Sequence, residues 1–249
     1  GSMQLSMGAT EIGQGADTVF TQMAAEVTGI TEDRINVMST QDTDITPFDT
    51  GAYASRQTYV SGMAIKKTGA IFKEKILEYG AYMLDRSQDT LDVENNSVVD
   101  KETGETLLAM EELAATAFYS LDRSVHITAE ATSHCKTNTF ATGVCFAEVE
   151  VDMPLGKVKV TNIVNVHDSG NLINPKLAAA QVHGGMSMGL GYGLSEQLLF
   201  DAKGRPLNDN LLDYKLPTSM DTPDLNALFV ELDDPTGPFG NKALGEPPA

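Results

Sequence analysis

An α+β fold in two small subdomains is what this sequence predicts. Three observations support it. Apolar residues recur at helical spacing in two separate stretches, and short β-branched runs lie between and after them. The strand signals arrive partly as hairpins rather than in strict alternation with helices, which favours mixed sheets over one doubly wound sheet. The 249 residues suffice for one large core or two small ones.

Taken in order, Met3 to Met7 reads as a strand. Gly13-Gln14-Gly15 then opens a helix whose apolar face is Val19, Phe20, Met23, Ala24 and Val27, with Gly29 as its stop. Arg34 to Met38 reads as a second strand. Gln41 to Tyr53 is a polar loop carrying Pro47, Asp49 and Gly51. A longer helix follows, with Val60, Met63, Ala64 and Ile71 on one face and an end near Leu84. Leu91–Val93 and Ser97–Val99 read as paired strands about an Asn95-Asn96 turn, and Glu111–Tyr119 as a short helix. Strand alternation covers Val125–Glu130, Thr142–Val151, Lys157–Val166 and Leu225–Leu232. Pro175 stands near the start of a further helix, where a missing N–H costs little. In that helix Gly185, Gly189 and Gly193 share one face, open to close approach by another backbone or a ligand.

Composition excludes several classes. Hydrophobic residues make up 41% and charged residues 21%, a folded profile. With 17 basic against 35 acidic residues the net charge is −18, which argues against nucleic acid, whose phosphates need clustered Lys and Arg. No run of 18 apolar residues suggests a membrane span and no signal-peptide pattern is visible. Cys135 and Cys145 are too few for a disulfide framework or an iron–sulfur centre, and the four histidines lack helical metal spacing. A reducing, cytoplasmic setting is expected. Both ends look cut, so the chain reads as a fragment of something longer.

Three glycine- or proline-flanked segments are candidates for chemistry. Gly13-Gln14-Gly15 places free N–H groups and an amide side chain at a helix N-terminus, suited to an anion or a polar heterocycle. An ordinary glycine turn would look the same. Asp49 to Arg56 offers small residues that let backbone lie against a ligand, with Ser55 as a possible helix cap; a plain capped loop is the alternative. Gly245-Glu246-Pro247-Pro248 holds a carboxylate on stiff backbone, suited to a general base if it faces a pocket; an exposed glutamate in a turn is the alternative. His167, Asp168 and His183 read as structural, each histidine hydrogen-bonded, and Met186-Ser187-Met188 as packing.

Together these segments carry a resemblance. Gly8–Gly15, Gln41–Asp44, Thr50–Ser55, Asn165–Gly170, Gln181–Gly191, Leu211–Lys215 and Gly245–Pro248 resemble, in order, the molybdenum-binding subunits of the xanthine dehydrogenase type of molybdenum hydroxylase. The likeness runs essentially the whole chain, so residues 1–249 are expected to be the C-terminal molybdopterin-binding region of a longer subunit.

The resemblance implies a pyranopterin cofactor whose dithiolene sulfurs bind molybdenum, with or without a cytosine dinucleotide extension. No protein metal ligand is then required. Gly13, Gln14 and Gly15 match the segment that hydrogen-bonds the pterin, and Gln181 matches a second glutamine reaching it. Gly51, Ala52, Tyr53, Ala54 and Ser55 match the loop around its polar end near the metal. Glu246 matches the active-site glutamate. Tyr53 and Arg56 stand where many relatives carry smaller residues. The implied reaction hydroxylates purines such as hypoxanthine or xanthine with water-derived oxygen, Glu246 being the base. Related activity on aldehydes or other N-heterocycles is the alternative, as is a cofactor-binding or docking module without catalysis. The expected partners are the preceding half of the same subunit, 2Fe–2S and FAD carriers on other subunits or domains, and a small heterocyclic substrate. The chain alone is expected to be inactive.

Overall fold

The computed structural model describes residues 1–38 and 42–249, so Gln41 of the Gln41–Asp44 segment lies outside the described residues. The chain divides into two units. Gly1–Asn138 with Thr236–Pro238 form the first, and Thr139–Pro235 with Phe239–Ala249 the second.

In the first unit β1 (Met3–Ser6) and β2 (Ile35–Met38) pair in parallel. A parallel pair cannot close through a tight turn, and helix α1 (Ala16–Thr28) supplies the crossover. Its expected face is largely the buried one: Val19, Phe20, Met23 and Ala24. Gly29 stops the helix at φ 75°, its N–H bonded to the Ala25 carbonyl at 2.9 Å. A π-helical turn, Gln57–Ser61, leads into α2 (Gly62–Leu84).

The buried stripe of α2 differs from expectation. It runs through Gly62, Ile65, Gly69, Ile76, Tyr79 and Gly80, whereas Ile71 is exposed. Three of these are glycines, which carry no apolar signal, so the hydrophobic pattern alone misplaces the face. Gly69 is where α1 comes in: a Cβ there would lie 1.8 Å from Val27 Cγ1.

β3 (Leu91–Glu94) and β4 (Ser97–Asp100) form the expected hairpin. Asn95 and Asn96 both have positive φ, 46° and 61°, as a two-residue I′ turn requires. β5 (Thr106–Ala109), which the sequence did not signal, adds to β4 and runs straight into α3 (Met110–Tyr119). The strand expected at Val125–Glu130 does not form. Alternation alone does not make a strand without a ladder partner. This stretch instead passes beside α2, where Lys75 Nζ donates to the Thr128 carbonyl at 2.6 Å.

The second unit holds a three-stranded sheet in the order β6 (Thr142–Asp152), β7 (Lys157–Asp168), β8 (Asp224–Phe229). β6 is antiparallel to β7, and β8 is parallel to it. β7 runs two residues past its expected end, and β8 stops three short of Leu232. Helix α4 (Pro175–Leu194) begins with Pro175 after Asn174, whose side chain accepts from the Leu177 N–H at 3.0 Å. Val182, Met186 and Leu190, one turn apart, pack on Ile163 together with Val160, Leu225, Ala227, Phe229 and Leu244. These contacts fix the face that α4 turns away from solvent, and with it the placement of Gln181 and Gly185.

Candidate functional site

In the first unit the α1 N-terminus is already capped by the chain itself. Glu11 Oε1 accepts from the Gly13 and Gly15 N–H groups at 2.7 and 3.1 Å, and Oε2 from Asp17 N–H at 3.0 Å. Partial burial pushes the Glu11 carboxyl up, but the N–H groups of Asp17, Gly15, Gly13 and Ala16 outweigh it and hold the group below the usual glutamate range. The donors that the sequence offers to an external anion at Gly13–Gly15 are therefore largely used by Glu11.

Gln14 is half-buried and tied into a second network. Its Nε2 donates to the Thr10 carbonyl at 2.9 Å and to Gln57 Oε1 at 2.5 Å, while its Oε1 accepts from Ile12 N–H at 2.7 Å. Gln57 Nε2 returns a bond to the Thr10 carbonyl at 3.0 Å. Both Gln14 amide hydrogens are thus engaged, and one lone pair of Oε1 is left. Gln57 was not singled out by sequence. No sequence signal marks it; its burial, and its place inside a π-helical turn of a kind that recurs at functional sites, are visible only in the structure.

The loop before that turn is clasped by Arg56. Arg56 Nη1 donates to Asp49 Oδ1 at 2.5 Å and to the Gly51 carbonyl at 3.0 Å, and the guanidinium lies 5.6 Å from the Tyr53 ring centroid. Asp49 Oδ1 also accepts the Gly51 N–H at 2.9 Å. Within the clasp Gly51, Ala54 and Ser55 all have positive φ, at 115°, 50° and 53°. Left-handed backbone at two residues with side chains costs on the order of 1–2 kcal/mol each and persists only where surroundings impose it. Ser55 does not hold the helix N-cap as expected: Arg56 holds it, and the Arg56 side chain makes no cap bond. The N–H groups of Ala52 and Ala54 have no partner among the described residues.

In the second unit the small face of α4 receives backbone. A Cβ on Gly185 would lie 2.6 Å from Pro248 Cβ, and one on Gly189 would lie 3.7 Å from the Ala249 carbonyl carbon. Asn165 Nδ2 donates to the Pro248 carbonyl at 3.3 Å, and Ala249 N–H to the Glu246 carbonyl at 3.0 Å. Pro248 is buried in this seat while Glu246 is exposed. Gln181 is half-buried and stands one turn before Gly185, on the same face of α4.

His167 departs from expectation. It is 1% exposed, yet neither ring nitrogen has a hydrogen-bond partner among the described residues. Its ring fills the space that a Cβ on Gly143 of β6 would need, and burial holds its pKa below the usual histidine value, in the neutral form. His183 is exposed on α4. Among the described residues no cluster of three His, Cys, Asp or Glu side chains forms a metal cage. No helix of the described residues is long and apolar enough to cross a membrane.

Residues 1–223 match the molybdopterin cofactor-binding domain family. The chain belongs to that family. It is 47% identical over 250 residues to the xanthine dehydrogenase molybdenum-binding subunit of Escherichia coli O157:H7, covering 100% of this chain and 33% of that protein. Quinoline 2-oxidoreductase from Pseudomonas putida 86 is similar in structure, with a TM-score of 0.88, 26% identity and coverage of 100% of this chain and 32% of its own. Reconstituted CO dehydrogenase from Oligotropha carboxidovorans gives a TM-score of 0.88 at 28% identity, again over 100% of this chain and 31% of that one. The chain thus spans about a third of the length of these relatives. Its mixed helices and open sheets are those of the family's molybdenum-binding domains.

The residues present fit such a cofactor unevenly. The clasped loop fits it well, with two unpartnered backbone donors at Ala52 and Ala54 held in one conformation. The Gly13–Gly15 turn fits by shape: a Cβ on Gly13 would meet nothing within 4 Å, so a flat ring has room against the backbone. Its hydrogen-bonding capacity is narrower than the sequence suggests, because Glu11 and Gln57 consume most of it.

Proposed function

We propose that this chain is the C-terminal cofactor-binding region of a molybdenum hydroxylase that oxidises purines, with Glu246 as its general base. The observation that carries the reading is the seating of Pro248 on Gly185 and Asn165. It fixes the backbone of a Gly-Glu-Pro-Pro turn; Glu246 on that turn is exposed in this chain, and the preceding half of the subunit would supply the pocket it faces. A base held this way keeps its position through the reaction, which is what proton transfer at a reacting centre demands.

When bound, the molybdenum pyranopterin supplies the redox chemistry and withdraws two electrons from the substrate. The Ala52 and Ala54 N–H groups would hold the cofactor's polar end as donors. Gln14 would serve the pterin as an acceptor, since both of its own amide hydrogens are taken by Thr10 and Gln57. Gln181 on α4 would hold it from the other side of the site. Glu246 takes up a proton as water-derived oxygen is added to an electron-poor ring carbon. Iron–sulfur and flavin groups on other subunits or domains would supply the onward redox chemistry, and the preceding half of the subunit would close the substrate pocket.

Likeness to the xanthine dehydrogenase subunit at 47% identity supports purines over other substrates. The test is substrate-dependent dye reduction by the full-length subunit with its electron-transfer partners, assayed with hypoxanthine, xanthine, aldehydes and quinoline. Turnover of purines alone is the expected result. Preference for an aldehyde or quinoline would overturn the substrate assignment, and no molybdenum in the assembled enzyme would overturn the cofactor assignment.

A further inference from the structure

Pro248 anchors the Glu246 turn on one side only. The other side runs back through Gly245, Leu244 and Ala243 to Lys242, and there the chain is fastened to the end of β7. Lys242 Nζ meets Asp168 Oδ2 at 2.5 Å, with both side chains only about a tenth exposed, at 12% and 10%. The Lys242 N–H donates to the Ser169 carbonyl at 2.8 Å, and Asn171 N–H to the Gly240 carbonyl at 2.9 Å. Gly170 bridges to Asn241, and a Cβ on Gly170 would lie 2.2 Å from the Gly240 oxygen, so the two strands of chain touch backbone to backbone. Asp168 Oδ1 also accepts the Gly170 N–H at 3.0 Å. Burial pushes the Asp168 carboxyl up, but Lys242 and the Gly170 N–H outweigh it and keep it ionised.

A buried ion pair is a costly way to gain stability. Its Coulomb attraction is offset by desolvation of both charges, and an apolar pair of the same volume often does as well. In some proteins such a pair sets the register between two segments. Here the segments are the end of β7, set by its long ladder with β6, and the chain four residues ahead of Glu246. Asn165 and Asp168, three residues apart at the end of one strand, thus hold both flanks of the turn.

We infer that Asp168 and Lys242 are positioning residues for Glu246. The inference rests on the reading of Glu246 as the base. Asp168 leaves the reacting atoms untouched and acts by fixing where the Glu246 backbone stands, and a small misplacement of a reacting group is enough to cost up to about a hundredfold in rate.

The test uses the full-length subunit assembled with its partners. Rates of substrate reduction by xanthine are measured for Asp168→Asn, Glu246→Gln and the double variant, each normalised to molybdenum content, and amide hydrogen exchange is followed over residues 243–249. Asp168→Asn is expected to lower the rate about ten- to a hundredfold. It is expected to speed exchange in the 243–249 turn and to cause no further loss in the Glu246→Gln background, where there is no base left to misplace. Asp168→Glu, which keeps the charge but shifts it by one methylene, serves if Asp168→Asn fails to assemble, with a smaller loss of the same non-additive kind. Equal losses in both backgrounds would mark a merely structural role, and unchanged exchange would show that the pair does not fix the turn; either overturns the inference. A Glu246→Gln enzyme of undiminished rate would instead overturn the base reading beneath it.

Discussion

Pro248 occupies the space that a side chain on Gly185 would need: an added Cβ would stand 2.6 Å from Pro248 Cβ. In an exposed helix interior Gly→Ala normally stabilises by about 0.8–1 kcal/mol. The neighbouring Gly184 is the internal control, since a Cβ there meets nothing within 4 Å. Gly184→Ala is expected to raise the unfolding midpoint. Gly185→Ala is expected to lower it and to displace the Glu246 turn. Thermal melts of the two variants check this, and equal gains in both would contradict the seat.

The same logic applies to the α1–α2 crossing, where Gly69 faces Val27 Cγ1. Gly69→Ala should destabilise the first unit by about 1–3 kcal/mol through overpacking. Val27→Ala in the same chain should recover most of that loss. Denaturant unfolding of the single and double variants measures the recovery, and additive losses would rule out the contact.

Glu11 gives a pH dependence whose sign follows from its lowered pKa. A carboxyl depressed in the folded state contributes stability above its unfolded pKa, near 4.3, and loses that contribution as pH falls through its folded value. Glu11→Gln should therefore destabilise by about 0.5–2 kcal/mol at pH 7, in the range of a lost helix cap. The gap to wild type should close below about pH 4. A gap that stays constant from pH 7 to pH 3 would show that the charge is not what caps α1.

Arg56 is expected to matter through the loop it holds. Arg56→Lys keeps the charge but loses the planar guanidinium that reaches Asp49 and Gly51 and lies by Tyr53. In the full-length subunit it should lower pterin content per protein while helix content by circular dichroism stays constant. Unchanged pterin loading would show that the left-handed loop does not depend on the clasp.

Much of the architecture was legible because it rests on local signals. Gly29 as a stop, the Asn95-Asn96 turn and the Pro175 start each follow from backbone preference at one or two residues. The buried face of α2 was not legible, because it is written in glycines whose meaning depends on Val27 and Met23 arriving from elsewhere. The strand expected at Val125–Glu130 failed for the same reason: a ladder needs a partner that alternation cannot supply. At the candidate site the sequence pointed to Gly13–Gly15, Gly51–Ser55, Gln181 and Glu246 as segments. It did not reveal that Glu11 and Gln57 take up the donors around Gln14, or that Lys242 reaches Asp168. The Gln14–Gln57 and Asp168–Lys242 pairings are long-range, 43 and 74 residues apart. The Glu11 cap is local, two to six residues from its donors, and was missed because a glutamate ahead of a glycine turn carries no cap signature of its own.

Gln14 offers a test of how the cofactor is gripped. If its free acceptor lone pair serves the pterin, Gln14→Ala and Gln14→Leu should both lose cofactor, because neither side chain accepts a hydrogen bond. Molybdenum and pterin content of the two full-length variants, measured beside Gln181→Ala, check this. Equal loading in all three and in wild type would remove both glutamines from the cofactor site.

The most direct measurement is rapid-mixing reduction of the full-length enzyme by xanthine, comparing wild type with Glu246→Gln at matched molybdenum content. Glutamine keeps the size of the side chain but accepts no proton. The expected result is a reduction rate lowered by roughly 10²–10⁴, with onward electron transfer to the flavin carrier unchanged once the metal is reduced. A near-wild-type reduction rate at full molybdenum content would contradict the assignment of Glu246 as the base.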